Sequence, residues 1–418
     1  MIHSQFLRKF FLLIVVITVG WGESNAEDFD TQSWFKGNTH THSLWSDGND
    51  FPEMIFDWYR AHGYQFVAMS DHNLLQVGES WISVDDIKKR QRAVGHDAIY
   101  KCEARFGKDW IQWETKGEKS GVVLKTLAQC RAALEQAGEF YLLPAEEISN
   151  SAVDKKPVHI NVLNVGEVIA PIHDAALSTR EVARASLRLV SETGRASSQP
   201  ILAHVNHPNF QWSLTAEDLA DVAEGDFFEV YNGHPGINHL GNADSPGDEA
   251  IWDIANTIRL AEMQAAPLMG FATDDSHTYH GEDVSPGRGW IMVGAEELSG
   301  DSLIQAIKAG RFYASSGVTL DAIRFDEKSR KLTIQIAPVE GVTFTTRFIG
   351  TRSTYDATAE ITGIGEVFAT SEGVAVEFVM PADAYYLRAT VTSSRAHPNP
   401  SFPEQKEQAW MQPVGWRK

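Results

Sequence analysis

Residues 34–48 read Trp-Phe-Lys-Gly-Asn-Thr-His-Thr-His-Ser-Leu-Trp-Ser-Asp-Gly, a short β-prone run that closes on two histidines spaced by one residue. On a strand, residues i and i+2 project to the same side, so His40 and His42 can grip one cation. Six further runs share this form: Gln65–His72, Tyr141–Ile148, His159–Val165, Ile201–Pro208, Phe227–Gly233 and Leu268–His277. Amphipathic segments lie between most of them. Pro52 to His62 reads as a helix, as does Asp248 to Gln264. Ser178 to Thr193 reads as a third, with a Ser178…Glu181 capping box at its start and Gly194 as its stop. Strands alternating with helices indicate an α/β fold with a parallel sheet or barrel. Seven units indicate an incomplete or distorted (β/α)7 barrel and not the regular eight.

The ends of these runs carry the chemistry. Asp71-His72 closes the second, Glu146-Glu147 the third, and Asp275-Ser276-His277 the seventh; His159 opens the fourth, and His204 and His207 sit in the fifth. Of 15 histidines, 13 fall between residues 40 and 280, a segregation that scattered surface histidines would not produce. A lone His-x-His is more often structural than a ligand pair. Their joint occurrence at strand ends that converge on one barrel face is what favours metal. Imidazoles with carboxylates suit Zn²⁺, Mn²⁺ or Fe²⁺. Six histidines and three carboxylates exceed one tetrahedral site, so two or three divalent ions are expected.

The stretch His40-Thr41-His42-Ser43-Leu44-Trp45-Ser46-Asp47-Gly48 resembles the opening motif of the polymerase and histidinol phosphatase (PHP) superfamily. Ser70-Asp71-His72-Asn73, Glu146-Glu147-Ile148-Ser149, His207-Pro208, Glu229-Val230-Tyr231-Asn232 and Asp275-Ser276-His277 follow in that family's order, over residues 34–317. The resemblance implies a distorted seven-unit barrel with a trinuclear metal centre. It implies that His40, His42, Glu147 and Asp275 hold one metal. Glu147 would bridge to a second, completed by His159 and His207, while Asp47, His72 and His277 would hold the third. The family pattern favours Glu147 over Glu146, and the Asp-x-His spacing favours Asp275 over Asp274.

The resemblance further implies phosphoester hydrolysis by metal-activated hydroxide, a chemistry that clustered divalent ions support. His72 or His207 could assist the leaving group, although metal ligands are poor proton donors. Asp71, His204 and His234 are the unligated alternatives. Arg288, in a Gly-rich loop after the last motif, is a possible bidentate phosphate ligand, with an ordinary surface arginine as the competing reading. Asn73 and Asn232 are expected to orient ligands, Trp45 to pack at the rim, and His234 and His239 to line the pocket mouth. His280 reads as exposed loop.

Residues 1–26 resemble a signal peptide: Arg8 and Lys9 precede the apolar run Phe10–Val19, and Ser24-Asn25-Ala26 offers a cleavage site. An exported protein, periplasmic or secreted and without a membrane anchor after cleavage, is expected. Residues 27–317 form the barrel, with 75–140 as an insertion or lid. Residues 318–418 are expected to form a small all-β, sandwich-like C-terminal module, with Trp410 and Trp416 read as anchors of the C-terminus against the barrel in preference to a carbohydrate contact. Export permits a disulfide between Cys102 and Cys130, but Cys130 also fits an apolar helical stripe, and both readings stand.

The chain of 418 residues has 36 Lys plus Arg against 56 Asp plus Glu, a formal charge of -20. That charge argues against general nucleic-acid or anionic-membrane binding. A small phosphorylated substrate remains compatible, because three divalent ions against three carboxylates leave a site of about +3. Two other functions compete: a metal-dependent amidase or lactonase, and a non-catalytic, metal-containing glycan-binding protein.

Overall fold

The computed structural model describes residues 33–91, 97–280, 286–356 and 363–416. The expected signal peptide and His96 lie outside the described residues. In chain order, β1 (Ser33–Asn38), α1 (Pro52–Ala61) and β2 (Phe66–Met69) open the fold. The segment expected to be an insertion then supplies β3 (Trp81–Ser83), α2 (Val84–Arg90), α3 (Ala98–Phe106), β4 (Gln112–Lys116), β5 (Lys119–Val123) and α4 (Leu127–Leu134). The main sheet resumes with β6 (Tyr141–Ser151), β7 (Pro157–Leu163), α5 (Thr179–Ala196), β8 (Leu202–Val205), α6 (Ala216–Asp221), β9 (Phe227–Asn232), α7 (Asp248–Thr257) and β10 (Met269–Thr273). All seven runs read from sequence are therefore strands.

The sheet order β10-β9-β8-β7-β6-β2-β1 forms one face-to-edge series. Its two ends meet at their rims. Thr41, just past β1, bridges Ser276, just past β10, and Asp275 N donates to His40 O at 3.0 Å. The series is not all parallel: β7 runs antiparallel to both β6 and β8. The β6–β7 link spans only residues 152–156, whereas a parallel return needs a dozen or more residues. A hairpin is the only short solution.

Local chemistry explains the helices. Ser178 Oγ accepts from Glu181 N, and Ser178 N donates back to Glu181 Oε2 at 2.8 Å, so the capping box forms. The helix does not stop at Gly194 but runs to Ala196. Gly194 instead permits close approach, since a Cβ there would meet Ile201 Cγ1 at 3.0 Å. The expected helix 248–264 divides into α7 and a π turn, Ile258–Glu262.

Beyond β10 come β11 (Trp290–Ala295), α8 (Gly300–Lys308), β12 (Phe312–Ser315), β13 (Leu320–Asp326), β14 (Lys331–Ile336), β15 (Phe344–Gly350), β16 (Glu366–Glu372), β17 (Ala375–Val379), β18 (Arg388–Ala396) and β19 (Lys406–Met411). The sheet is not interrupted near residue 318: β1 continues through β11-β12-β19-β18-β15-β16. A second sheet, β13-β14-β17, covers it. Alternation along β14 buries Leu332, Ile334 and Ile336 against Phe348, Ala389 and Val391.

Polar ties add to that continuity. Arg388 reaches Asp253 on α7 with Nε and Nη2 at 2.7 and 2.6 Å, and Tyr386 donates to the same carboxylate at 2.6 Å. Trp410 is fully buried, donates to Glu249 Oε1 at 3.1 Å and stacks on Tyr231.

The segment between β2 and β6 packs its own three-stranded sheet, β3-β5-β4, and helices onto the loop after β1. Cys102 joins that core beside Ile82 and Val122, while Cys130 joins Ile55 and Phe56 in another. The two are buried and unbridged, so the core reading of Cys130 holds and the disulfide does not form. Among the described residues no helix is long and apolar enough to cross a membrane.

Candidate metal centre

The rim contact between the loops after β1 and β10 sets the centre. β1 ends at Asn38, so His40 and His42 sit just beyond the strand; the Thr41–Ser276 bridge keeps them extended. His42 N donates to Ser276 O at 2.9 Å. His40 Nε2 and His42 Nε2 then lie 3.2 and 3.3 Å from Asp275 Oδ1, and each lies 3.4 Å from Glu147. Glu147 reaches them because it stands within β6 at a bridge to His72.

Three overlapping groups result: His40, His42 and Glu147; Glu147, His159 and His207; and His42, Asp47, His72 and His277. Within each group the potential ligand atoms lie within 4.8 Å of one another. Asp275 belongs beside the first by the distances above. The structure thus brings together all nine residues expected to ligate. It also shows one feature not anticipated: His42 faces two groups, with Nε2 toward Glu147 and Nδ1 at 3.7 Å from Asp47 Oδ1. The side chain of Asp47 is 54% exposed, while those of His40, His42 and Glu147 are at most 1% exposed. Solvent therefore reaches the centre from the Asp47 side.

The donor set fits divalent cations. His40 Nε2 and both ring nitrogens of His42 are buried and have no hydrogen-bond partner among the described residues. Buried polar atoms without partners carry a large desolvation cost, which a bound cation would offset. Burial alone would push the Glu147 carboxyl up, but His72, His40 and His159 outweigh it and hold it well below the usual range. Asp275 is held low in the same way, against burial, by His40, His42 and His277. Burial and the neighbouring His277 and His72 push His42 down to about 4, leaving a neutral imidazole able to ligate. His72 is raised to about 11 and His277 to about 9, because nearby carboxylates overcome their burial. Cations taking those two nitrogens must displace protons.

Several residues hold the ligands in place. Glu229 is fully buried in β9; its Oε1 lies 2.7 Å from His40 Nδ1 and accepts from Thr273 Oγ1 at 2.7 Å, and its Oε2 accepts from His207 N at 2.8 Å. A carboxylate on one ring nitrogen fixes the tautomer and turns the other nitrogen to the metal side. Asn206 donates to Glu147 Oε1 at 2.8 Å. Asn73 brackets Glu147, donating its N–H to Glu147 O and accepting from Ser149 N through Oδ1.

His207, Asp275 and Asn73 have φ of 25°, 46° and 55°, a region that side-chain-bearing residues avoid at a cost of about 1–3 kcal/mol each. Gly48 is required by close approach, since a Cβ there would run into the His42 carbonyl. Glu229 stands in one of the motifs without a role that the motif itself discloses, and nothing around Asn206 in sequence marks it. A lone acid in the wholly buried run Phe227–Asn232 was the available signal.

The ambiguous neighbours point elsewhere. Glu146 accepts from Ile169 N at 2.8 Å. Asp274 accepts from the backbone of Gly287, Arg288 and Gly289 and from Tyr59 Oη. Asp71 accepts from Ser43 N, Ser43 Oγ, Ser46 Oγ and Gln76 Nε2, which shapes the loop between His42 and Asp47. His204 is fully buried and stacks on Phe271. Trp45 donates to Lys125 O, tying the insertion to the rim. His239 pairs with Asp248 at 2.9 Å.

Two expectations are corrected. Arg288 is buried, and its guanidinium donates to Gly233 O at 2.9 Å and to Asn399 Oδ1 at 3.0 Å. It is a clamp between two chain segments, not a phosphate fork. His280 is not exposed: it is buried, 3.0 Å from Lys101 Nζ and 3.3 Å from Asn49 O, where α3 meets the loop after β1.

No protein-family model and no curated protein matches the chain. Among solved structures, the chain is similar to a two-domain protein containing a predicted PHP-like metal-dependent phosphoesterase from Bacteroides vulgatus. That likeness has 14% identity and a TM-score of 0.39, covering 93% of this chain and 97% of the other. A candidate metal-dependent phosphoesterase from Bifidobacterium adolescentis aligns at 13% identity and a TM-score of 0.30, covering 58% of this chain and 88% of the other. PsfC from Pseudomonas syringae aligns at 10% identity and a TM-score of 0.34, covering 66% and 88%. At such scores the reading of the site rests on its own residues: the ordered motifs by which the sequence resembles the PHP superfamily converge in space on one centre.

Proposed function

We propose that the protein is a PHP-like, metal-dependent phosphoesterase with a trinuclear centre in a distorted seven-unit barrel. The observation that carries this is the overlap of the three donor groups, with Glu147 shared by two and His42 facing two. A carboxylate shared by two donor groups would let them hold neighbouring cations, which suits a phosphate clamp. His40, His42, Glu147 and Asp275 would hold the first ion; Glu147, His159 and His207 the second; Asp47, His72 and His277 the third.

Divalent ions at such a site, Zn²⁺, Mn²⁺ or Fe²⁺ by donor type, supply Lewis acidity and a water of lowered pKa. The chain's own residues supply the rest. Glu229 orients His40 and anchors the backbone of His207. Asn206 fixes the shared carboxylate, and Asn73 fixes the backbone that carries it. Asp71 shapes the loop that brings Asp47 to the solvent side, where a small phosphorylated substrate enters. The N-terminal 26 residues support an exported protein, periplasmic or secreted. A phosphomonoester screen of the metal-loaded chain tests the function. Hydrolysis of amides or lactones with none of phosphoesters would favour the amidase reading instead.

A further inference from the structure

His234 lies in the loop after β9, and the metal-facing side chains hold that loop. Its N–H donates to Asn232 Oδ1 at 2.8 Å, and Asn232 Nδ2 donates to Glu229 Oε2 at 2.8 Å and to Asp275 Oδ2 at 3.1 Å. The preceding residue is fixed from the other side. Gly233 N donates to Thr273 O at 2.9 Å, and Gly233 O accepts from Arg288 Nη1 at 2.9 Å. Arg288 is gripped in turn by Asn399, through both its backbone and side-chain oxygens. Asn399 belongs to the connection between β18 and β19, so the C-terminal strands reach the loop through two residues.

The His234 imidazole stands nearly perpendicular to that of His277, with ring centroids 5.5 Å apart. Its Nδ1 accepts the N–H of Gly236 at 2.9 Å. A ring nitrogen that accepts from an amide carries no proton, so the neutral ring bears its hydrogen on Nε2. That donor has no acceptor among the described residues, and the ring is only partly buried. The other unligated candidates are already committed: Asp71 accepts from four donors and His204 is sealed in the core.

We propose that His234 is a substrate-contacting residue whose Nε2–H donates to an oxygen of the phosphate or phosphoester at the centre, and that Arg288 and Asn399 are its positioning residues. This rests on the phosphoesterase reading. It gives the C-terminal strands a role in holding one side of the site, and it needs no proton transfer from His234.

The test uses the full metal-loaded chain, p-nitrophenyl phosphate as substrate and inorganic phosphate as ligand. His234→Ala is expected to keep the wild-type metal content, weaken phosphate inhibition at least tenfold and lower kcat/KM on the order of 10²-fold, as expected for one lost preorganised donor. His234→Gln, which keeps an N–H donor, should recover part of both. Asn399→Ala should shift both in the same direction by less, again with full metal content. Wild-type phosphate inhibition in His234→Ala would overturn the proposal, as would loss of metal in that variant or failure of His234→Gln to recover either quantity. An Asn399→Ala variant like wild type would overturn the positioning part. A wild-type chain that holds its metals but neither hydrolyses the ester nor binds phosphate would overturn the phosphoesterase reading itself.

Discussion

Glu229 Oε1 lies 2.7 Å from His40 Nδ1, and neither side chain has any exposed surface. The pair couples a buried strand to a metal-facing imidazole: Glu229 fixes which nitrogen of His40 carries hydrogen, so Nε2 is presented to the centre. Replacing Glu229 by Gln keeps the shape but weakens that orientation. Glu229→Gln is expected to lower metal affinity by about 10–100-fold, the usual cost of losing such a carboxylate partner. Metal titration followed by elemental analysis measures it, and an unchanged affinity would remove Glu229 from the account.

The sharing of Glu147 separates two kinds of ligand loss. Asp47→Asn touches only the solvent-side group and is expected to lose one ion per chain. Glu147→Gln touches two groups and is expected to lose at least two. Equal losses from the two variants would contradict the overlap.

Glu146 offers a pH test away from the ligand atoms. Burial pushes its carboxyl up to about 7, against the opposing hydrogen bond from Ile169 N. A folded-state value above the unfolded one means that the contribution to stability is fully present below about pH 4.5 and lost as pH rises through about 7. Glu146→Gln should therefore match wild type near pH 5. Near pH 8 it should be the more stable by on the order of 2 kcal/mol. Urea unfolding at both pH values gives the difference, and a gap of equal size at both would refute this assignment.

Arg388 and Asp253 tie the C-terminal strands to α7, with both side chains nearly excluded from solvent. Removing one partner strands the other charge. Arg388→Met is expected to cost about 3–5 kcal/mol, read as a lower chemical-denaturation midpoint. Adding Asp253→Asn should recover part of that loss, since the stranded charge is then gone.

Much of the site was legible because strand ends are local features. The His40–His42 and Asp275–His277 pairs follow from i, i+2 spacing at the end of an apolar run, Glu147 was singled out from Glu146 by the family resemblance, and the structure brings all of them together. What escaped was set by distant partners. Nothing near Arg288 in sequence announces Asn399, and nothing near His280 announces the insertion that buries it. The antiparallel β7 follows from a five-residue link, a length cue that the strand pattern alone obscured. The continuity of the sheet past residue 318 depends on β12 pairing with β19, nearly a hundred residues away in sequence. Composition registers the change to all-β there but not that the two parts share a sheet.

The most direct test counts metal ions in the purified chain alongside phosphoester hydrolysis before and after chelation. Three divalent ions per chain are expected at saturation, with hydrolysis lost on chelation and restored when the ions return. A saturated count of two or fewer, or full hydrolysis by the metal-stripped chain, would contradict that expectation.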